Sequence, residues 1–497
     1  MTTTESTPTA AAAPMTELLA GGAYDPVQAE ETITALRVTG TIPEYLDGRY
    51  VRNGPNPIGP VDAATFHYFM GDGMVHGVRL RGGRAEWYRN RWVRSTDSAK
   101  ALGEPAPASS GVSVAANTTV IQHAGATLAL VEAGGSAYAL TDELETVGVW
   151  NFQGTLPGGY TAHPKLDRAT GELHAISYRF DRPGRVQYSV VDPRGRARRV
   201  VDVPVHGSPM VHDMGLTQGH VVVLDLPIEF DLGRAMRAVG VPPRIIGPAT
   251  RVASRMIGRV PMNGRLADLA ASRLRNGDMP YSWAPQHPSR LGVLPREGSG
   301  VNVRWFEIDQ CFIFHVLGAY DEVDEDGRVR AVIVDGVRYD SVFDDDAHGP
   351  EGLTTRLARW RLDLVTGKAT DSTVDDRPQE FPRIDERLLG NVYRYGYATG
   401  LAPDTGFIDG RIVRYDFQTG QATWHSLGSR VEVGELVFVP SGPDAAEDDG
   451  VLMGFVHDGE TGADRLELLD AATLESVAQV HLPVRVPHGF HGNWLPS

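Results

Sequence analysis

Apolar and polar positions along most of this chain form short runs that predict β-strands. Residues 171–178, 220–227 and 434–440 are examples, each rich in β-branched or aromatic residues and bounded by turn-forming residues. Runs of about five to eight residues between glycine and proline are typical of strands. Helical spacing is confined chiefly to residues 232–275. The pattern therefore predicts an all-β fold.

A weak repeat, Asp-x-x-Thr, follows several of these runs. Its copies begin at Asp167, Asp363, Asp416 and Asp470, and in the first three a glycine follows the threonine. An aspartate that accepts hydrogen bonds from its own turn, next to a glycine with positive φ, is typical of a hairpin loop. Hairpins that recur along the chain favour a β-propeller, and a sandwich of several sheets is the alternative.

Four histidines stand in distinctive local sequences that are far apart in the chain. They are His163 in Thr-Ala-His-Pro-Lys, His212 in Val-His-Asp-Met-Gly, His315 after Cys-Phe-Ile-Phe, and His491 in Gly-Phe-His-Gly-Asn-Trp. No single helix or hairpin could carry all four, so they would have to meet at the centre of a fold. Neutral imidazoles without a thiolate suggest a metal site for redox or oxygen chemistry. His488 is the alternative to His491 as the fourth histidine of such a site.

Three glutamates are candidates to support these histidines. A metal-bound imidazole usually donates its other N–H to a carboxylate or carbonyl. Glu132, Glu380 and Glu435 lie in otherwise apolar, strand-like surroundings, where such a carboxylate would be found. The alternative for each is a glutamate at a strand edge that faces water, which is the commoner situation for this residue.

Charge and cysteine content narrow the class of protein. The chain has 497 residues and a net charge of −16, which argues against a nucleic-acid partner. Its one cysteine, Cys311, lies in an apolar run that predicts a buried structural thiol and fits a reducing, cytoplasmic compartment. We expect residues 1–22 to form a disordered tail without a secretory signal, and residues 23–497 to form a single catalytic domain.

A basic, apolar insertion around residues 231–275 differs from the rest of this acidic chain. Residues 231–265 contain seven arginines and one acidic residue. One interpretation is a surface for peripheral membrane contact or for entry of an apolar substrate. The other is a helical cap with solvated arginines. Pro242, Pro243 and Pro248 argue against a long amphipathic helix there.

The ordered motifs of the chain resemble those of the carotenoid cleavage oxygenase family, which also contains apocarotenoid- and stilbene-cleaving enzymes. The resemblance covers residues 38–494 and rests on these segments: 48–57, 67–76, 116–118, 162–165, 314–320, 380–383, 447–450 and 487–492. It implies a seven-bladed β-propeller in which a dome of loops and helices covers an axial metal site. It also implies that the four histidines bind ferrous iron, Fe(2+), and that Glu132, Glu380 and Glu435 support them.

The resemblance further implies a non-haem iron dioxygenase that cleaves a C=C bond of a carotenoid or apocarotenoid into two carbonyl products. Its partners would be an apolar polyene and molecular oxygen. The alternatives are a stilbene- or lignostilbene-cleaving enzyme and, in another class, a propeller that only binds a ligand. Candidate residues of an apolar substrate tunnel are Phe66, Phe69, Trp150, Phe314 and Tyr320.

Two positions depart from the pattern of the family, and the first bears on the substrate. Stilbene-cleaving members place a lysine shortly before the Ala-Asn-Thr motif, whereas this chain has Val114 and Ala115 there, which favours an isoprenoid polyene. The family often has asparagine where this chain has Gly318, so a contact near His315 is expected to differ.

Overall fold

A computed structural model describes residues 22–61, 67–107, 115–156, 158–238, 240–256, 280–298, 301–343, 354–402 and 407–497. Within these residues, antiparallel strands form seven large sheets and one two-stranded sheet. The seven large sheets are the blades of a β-propeller, and the all-β, seven-bladed architecture is confirmed.

The first four blades are numbered along the chain. Blade 1 contains β1(Thr32–Ile33), β3(Gly48–Pro55), β4(Gly73–Arg81), β5(Arg84–Trp92) and β33(Gly492–Pro496). Blade 2 contains β6(Thr119–His123), β7(Ala126–Leu130), β8(Ala137–Leu140) and β9(Thr146–Trp150). Blade 3 contains β10(Lys165–Asp167), β11(Glu172–Ser177), β12(Arg185–Val191) and β13(Ala197–Pro204). Blade 4 contains β14(Met214–Leu216), β15(His220–Asp225), β18(Arg290–Pro295) and β19(Arg304–Glu307).

Three further blades complete the ring. Blade 5 contains β20(Phe312–Val323), β21(Val329–Tyr339), β22(Thr355–Asp363) and β23(Ala369–Asp375). Blade 6 contains β24(Gln379–Arg383), β25(Tyr395–Leu401), β26(Ile408–Asp416) and β27(Gln421–Ser426). Blade 7 contains β2(Arg37–Gly40), β28(Val431–Val433), β29(Val437–Pro440), β30(Gly450–Asp458), β31(Ala463–Asp470) and β32(Ser476–Leu482).

The two ends of the chain close the ring by strand pairing. The C-terminal strand β33 pairs with β3 in blade 1, where Leu495 lies opposite Arg49. The N-terminal strand β2 pairs with β32 in blade 7, where Val38 lies opposite Val480. Because each end completes a blade begun by the other, the ring cannot open without breaking a sheet at both places. This closure leaves only short, protected edges.

The hairpin motif predicted from the repeat is confirmed. Oδ1 of Asp363 accepts hydrogen bonds from the backbone N–H groups of Val365 (2.8 Å) and Thr366 (2.7 Å), and Gly367 then has φ of +77°. The same pattern occurs at Asp167, Asp416 and Asp470. A fifth copy, not predicted above, begins at Asp458 between β30 and β31.

The insertion leaves blade 4 through a two-stranded sheet of β16(Ile228–Phe230) and β17(Tyr281–Trp283). Between these strands lie α2(Leu232–Ala238) and α3(Pro243–Met256), while the helix α1(Thr96–Ala101) follows blade 1. Pro242 and Pro243 lie where α2 and α3 are separated, in agreement with the expectation that they interrupt a long helix, although α3 itself extends over 14 residues. Pro243 occupies the first position of α3, where its missing N–H costs nothing, and Pro248 lies inside the helix and removes one hydrogen bond.

Other expectations concern the tail, the membrane and the cysteine. Apart from Gly22, the predicted tail lies outside the described residues. In the described ranges, no helix combines the length and apolar character that crossing a membrane requires. Cys311 is a free, fully buried cysteine, as its apolar surroundings predicted, and burial raises the pKa of its thiol to about 12.

Candidate metal centre

Every blade contributes one side chain to a cluster on the propeller axis. The contributions, in blade order from 1 to 7, are His491, Glu132, His163, His212, His315, Glu380 and Glu435. His315 and Glu380 lie on the innermost strands β20 and β24, and the others lie in connections next to strands near the axis. Residues that are hundreds of positions apart in the chain therefore meet because each blade points inward.

The four histidines are close enough to bind one ion. One ring nitrogen of each lies within 4.8 Å of the corresponding nitrogen of every other. Nε2 of His212 lies 3.3 Å from Nε2 of His315, and the ring centroids of His163 and His491 are 4.5 Å apart. Ligands about 2.1 Å from a metal at right angles lie about 3 Å from each other, and opposite ligands lie about 4.2 Å apart. The spacing of the four nitrogens fits this geometry.

One nitrogen in the cluster lacks the kind of partner that a metal would supply. Nε2 of His163 is buried and has no hydrogen-bond partner among the described residues, although it faces the other three imidazoles. Buried polar atoms normally find a partner. Burial and the neighbouring imidazoles hold the pKa of His163 well below its usual range, so that its ring is neutral and able to bind a metal.

Each of the other three histidines is paired with one of the predicted glutamates. Nδ1 of His212 lies 2.7 Å from Oε2 of Glu132, and Nδ1 of His315 lies 2.6 Å from Oε2 of Glu380. Nδ1 of His491 lies 3.1 Å from Oε1 of Glu435. A carboxylate at Nδ1 places the proton there and turns the lone pair of Nε2 towards the axis.

Further contacts keep the carboxylates of Glu380 and Glu435 ionised. The Tyr339 hydroxyl donates to Oε1 of Glu380 at 2.8 Å, and the Gly492 N–H donates to Oε2 of Glu435 at 2.8 Å. Burial opposes ionisation of Glu435, but Arg383, 3.3 Å away, and His491 outweigh it and lower its pKa to about 2. The charges of the glutamates offset part of the positive charge that a bound cation would bring to the axis.

Sequence reasoning missed Asp213, which follows His212 directly and joins three of the histidine segments. Its carboxylate pairs with Nζ of Lys165 at 2.8 Å and accepts the backbone N–H of Val316 at 2.8 Å. Lys165 is two residues from His163, and Val316 follows His315. The acidic residue next to His212 in the quoted motif was the available signal, but only the fold shows its partners.

Comparisons with known proteins identify the family. The family described as retinal pigment epithelial membrane protein matches residues 24–496. A carotenoid cleavage oxygenase of Mycobacterium tuberculosis is 49% identical over 96% of this chain and 97% of its own length. The chain belongs to the carotenoid cleavage oxygenase family. It is an oxygenase with a histidine-rich metal site.

Two further relatives of this oxygenase differ in their named substrates. Carotenoid 9,10(9',10')-cleavage dioxygenase 1 of Arabidopsis thaliana is 30% identical over 95% of this chain and 88% of its own length. The crystal structure of a lignostilbene dioxygenase from Pseudomonas brassicacearum is 27% identical and has a TM-score of 0.79, covering 99% of this chain and all of that one. The family therefore contains both substrate classes expected from the sequence.

His488, the rival of His491, is held elsewhere in the oxygenase. Its Nε2 lies 2.5 Å from Oε2 of Glu432, and its ring packs against Tyr24 at 4.9 Å. It lies three positions before His491, and the connection before β33 directs the two side chains to different partners.

The predicted substrate residues fall into three groups. Phe314 stands edge-on to His212 at 5.2 Å between ring centroids, and Phe69 packs against Phe490, the neighbour of His491, at 5.5 Å. Trp150 lies instead on β9, the outermost strand of blade 2, and Tyr320 packs against Tyr393 at 5.8 Å in the interior of the blades. Phe66 lies outside the described residues.

Sequence reasoning also missed a row of aromatic rings that begins at the metal centre. From Phe314, successive ring centroids lie at Phe343 (6.3 Å), Tyr281 (6.1 Å), Phe180 (5.9 Å) and Phe230 (4.5 Å). We call these five residues the aromatic row. The last of them is on β16, next to the insertion, so the row joins the insertion to the histidines.

Phe381 closes another side of the centre in a strained conformation. It follows Glu380 with φ of +53°, and its ring stacks on His315 at 5.5 Å between centroids. A phenylalanine in the left-handed region is unfavourable and persists only where its surroundings fix it. Here the Phe381 N–H donates to the Glu380 carboxylate, so one residue both covers His315 and holds its partner.

The structure explains the departure at Gly318. A Cβ at this position would lie 2.5 Å from Cε1 of Tyr393, whose hydroxyl donates to the buried Asp335. An asparagine would displace this tyrosine, so Gly318 and Tyr393 form a matched pair in this chain.

Proposed function

We propose that this oxygenase binds Fe(2+) at His163, His212, His315 and His491. In our proposal it uses molecular oxygen to cleave one C=C bond of a carotenoid or apocarotenoid into two carbonyl products. The observation that carries the proposal is the joint arrangement of four converging imidazoles and an aromatic row that begins beside them. The four imidazoles suit a redox-active cation, and the aromatic row suits a long apolar substrate.

The residues of the centre have distinct roles in this proposal. Ferrous iron would supply the oxygen chemistry, through which both atoms of dioxygen are added across the double bond. The four imidazoles bind as neutral ligands, and Glu132, Glu380 and Glu435 hold three of the rings in place by accepting the Nδ1 protons. Nothing in the reaction requires a general acid or base from the chain, because C=C and O2 together contain all the atoms of two carbonyl groups.

The aromatic row would position the polyene. Phe343, Phe180 and Phe230 are half-buried, so their rings offer apolar surface while Tyr281 and Phe314 pack behind and beside them. A conjugated chain that lies along these rings is shielded from water, and its position along the row selects the bond that reaches the iron. The position of the polyene then determines which bond is cleaved. Holding the reactants in place also accelerates the reaction.

The stilbene alternative keeps the fold and the metal but needs a polar group to bind a phenol. Ala115, just before the Ala-Asn-Thr motif, is buried and has no polar side chain to offer, and Val114 lies outside the described residues. This favours a polyene. The structural similarity to a lignostilbene dioxygenase keeps a stilbene as the second candidate.

Product identification tests the proposal. Iron-loaded protein is incubated under 18O2 with a C40 carotenoid, an apocarotenal and resveratrol, and products are identified by mass spectrometry. We expect aldehydes or ketones from a polyene, each carrying one labelled oxygen. Cleavage of resveratrol alone would establish the stilbene alternative, and an iron-bound protein inert toward all three would support the propeller that only binds a ligand.

We also propose that the cytoplasmic enzyme meets its apolar substrate at a membrane surface through α3. Ile245 is 52% exposed beside the exposed Arg244, a combination that suits an anionic lipid surface. Ile245→Glu is expected to lose co-sedimentation with phosphatidylglycerol vesicles. Val147→Glu, which alters an exposed valine on β9, should still bind them. Equal binding by the two variants would contradict this role of α3.

A further inference from the structure

A second cluster of metal-binding side chains lies away from the axis, beside the insertion. It consists of His206, Glu229 and His287, whose ligand atoms all lie within 4.8 Å of one another. His206 follows β13, Glu229 is the central residue of β16, and His287 lies between β17 and β18. The cluster therefore joins the loop that leaves blade 3 to the two strands from which the helical insertion emerges.

His287 lies between two carboxylates, Asp225 and Glu229, whose hydrogen bonds outweigh burial and raise its pKa to about 9, so a zinc ion at this place would replace the proton on Nδ1. Its side chain is 1% exposed, and its Nε2 lies 2.8 Å from Oδ1 of the fully buried Asp225. The other oxygen of Asp225 accepts from Nε of Arg290 at 2.8 Å and from the backbone N–H of His206 at 3.2 Å. A carboxylate held in this way fixes the ring, so that Nδ1 of His287 faces Glu229 and His206.

Glu229 is fixed from the opposite side. Oε1 of Glu229 lies 2.7 Å from Nδ1 of His287, and a Cβ at residue 207 would lie 1.8 Å from the same oxygen. Gly207 also has φ of +54°, so glycine is required there both for its conformation and for the close approach. Backbone hydrogen bonds from Met210 to Ile228 (2.8 Å) and from Phe230 to Ser208 (3.1 Å) hold this loop against β16.

His206 completes the cluster from the solvent side. Its ring stands edge-on to His287 at 5.0 Å between centroids, and its side chain is exposed. Two imidazoles and one carboxylate are a donor set that suits zinc, with a fourth position left for water. Because His206 and Glu229 lie on different segments of the chain, an ion between them would cross-link the loop and β16.

We propose that His206, Glu229 and His287 bind one zinc ion, with Asp225 as the residue that orients His287. The ion fixes the β16–β17 pair, on which the insertion and the outer end of the aromatic row are built. This site is separate from the four axial histidines, and its existence does not depend on the proposed reaction. Its role is to hold β16 and Phe230, the last residue of the aromatic row, in place.

The test is a zinc titration of the iron-loaded protein, kept anaerobic so that the axial histidines remain occupied. Bound zinc and iron are measured together by mass spectrometry of the metals after removal of free ions. Wild-type protein is expected to bind one equivalent of zinc in addition to iron. His206→Ala and Glu229→Gln should each bind zinc at least tenfold more weakly. His206 is exposed and Glu229 half-buried, so both variants should remain folded.

Two further variants distinguish a specific zinc site from non-specific binding. His220→Ala removes a histidine that is paired with Asp321 at 2.9 Å outside this cluster, and it should bind zinc as the wild type does. Asp225→Asn leaves all three ligands but frees the ring of His287, and zinc affinity should fall about tenfold to a hundredfold. If wild type and His206→Ala bind zinc equally, or wild type binds none beyond the axial site, the proposal is wrong.

Zinc should also raise the melting temperature of the iron-loaded wild-type protein under the same anaerobic conditions, because an ion that binds only the folded state stabilises it. The His206→Ala variant should show no such increase at the same zinc concentration. This measurement does not involve the oxygenase reaction, so a failure of the proposed function would leave it unaffected.

Discussion

His163→Ala and His212→Ala are both expected to lose iron and cleavage activity, but only His212→Ala should also weaken the fold. Each variant removes one of four converging ligands. Removal of His212 leaves the Glu132 carboxylate without the imidazole 2.7 Å away, whereas no glutamate among the described residues is paired with His163. Loss of one hydrogen-bond partner by a largely buried carboxylate costs about 1–3 kcal/mol. Iron content, product yield and the urea midpoint of the metal-free proteins measure the three effects.

His220→Ala is the matched control for this experiment. His220 is also paired with a carboxylate, that of Asp321 at 2.9 Å, but it lies at the start of β15 and away from the axis. Its iron content and activity should equal those of the wild type. Retention of stoichiometric iron by either axial variant would refute the ligand assignment, and equal urea midpoints for the two would refute the structural role given to the pair of His212 and Glu132.

Asp213→Ala is expected to cost about 3–5 kcal/mol of folding free energy, which is typical of removing one partner of a buried ion pair. The Asp213 side chain is 2% exposed, and its loss leaves Lys165 and the Val316 N–H without their partner. Because these groups belong to the segments of three axial histidines, iron affinity should fall as well. Asp213→Asn, which keeps an oxygen acceptor, should be less destabilised. Urea unfolding and iron titration measure both changes.

A surface pair provides the control for Asp213. Asp326 and Arg328 lie 3.2 Å apart and are both more than 70% exposed, so Asp326→Ala should change stability by less than about 0.5 kcal/mol. If Asp213→Ala were no more destabilised than Asp326→Ala, the carboxylate would not be holding the histidine segments together. A destabilised variant with unchanged iron affinity would limit Asp213 to a structural role.

The convergence of seven blades has a consequence for how the centre is built. No two of the seven axial residues come from the same blade, so the geometry of the site depends on the closure of the whole ring. β33 completes blade 1 directly after His491, and the histidine is therefore positioned by the same pairing that joins the chain ends. The stability of the ring and the formation of the metal site therefore depend on the same strand pairing.

The strands, the hairpin turns and the axial residues could be predicted from the sequence. Strand alternation and the Asp-x-x-Thr turns depend on backbone hydrogen bonds within a few residues, which the local sequence specifies. The three glutamates were identified because a carboxylate in an apolar run needs a partner. The resemblance to the family then joined them to the histidines, and the observed pairs agree with it.

The candidate tunnel residues show what the sequence could not predict, namely which aromatic side chains lie near the axis. Phe314 and Phe69 lie near axial histidines, whereas Trp150 and Tyr320, with equally apolar neighbours, lie within the blades. Alternation along a strand indicates that a side chain is buried but not how far from the propeller axis it lies. The aromatic row was missed for the same reason, since Phe180, Tyr281 and Phe343 come from separate parts of the chain.

The sequence by itself determined the class of the fold, because strand pattern is local, and its resemblance to the family identified the four histidines and three glutamates as candidates for the axial site. Only the tertiary structure decided which partners each of these residues has. Asp213 joins Lys165 to Val316, Arg383 offsets the charge of Glu435, and His206 faces Glu229 and His287. Each of these contacts forms between segments that the ring brings together, and short-range pattern contains no information on such distances.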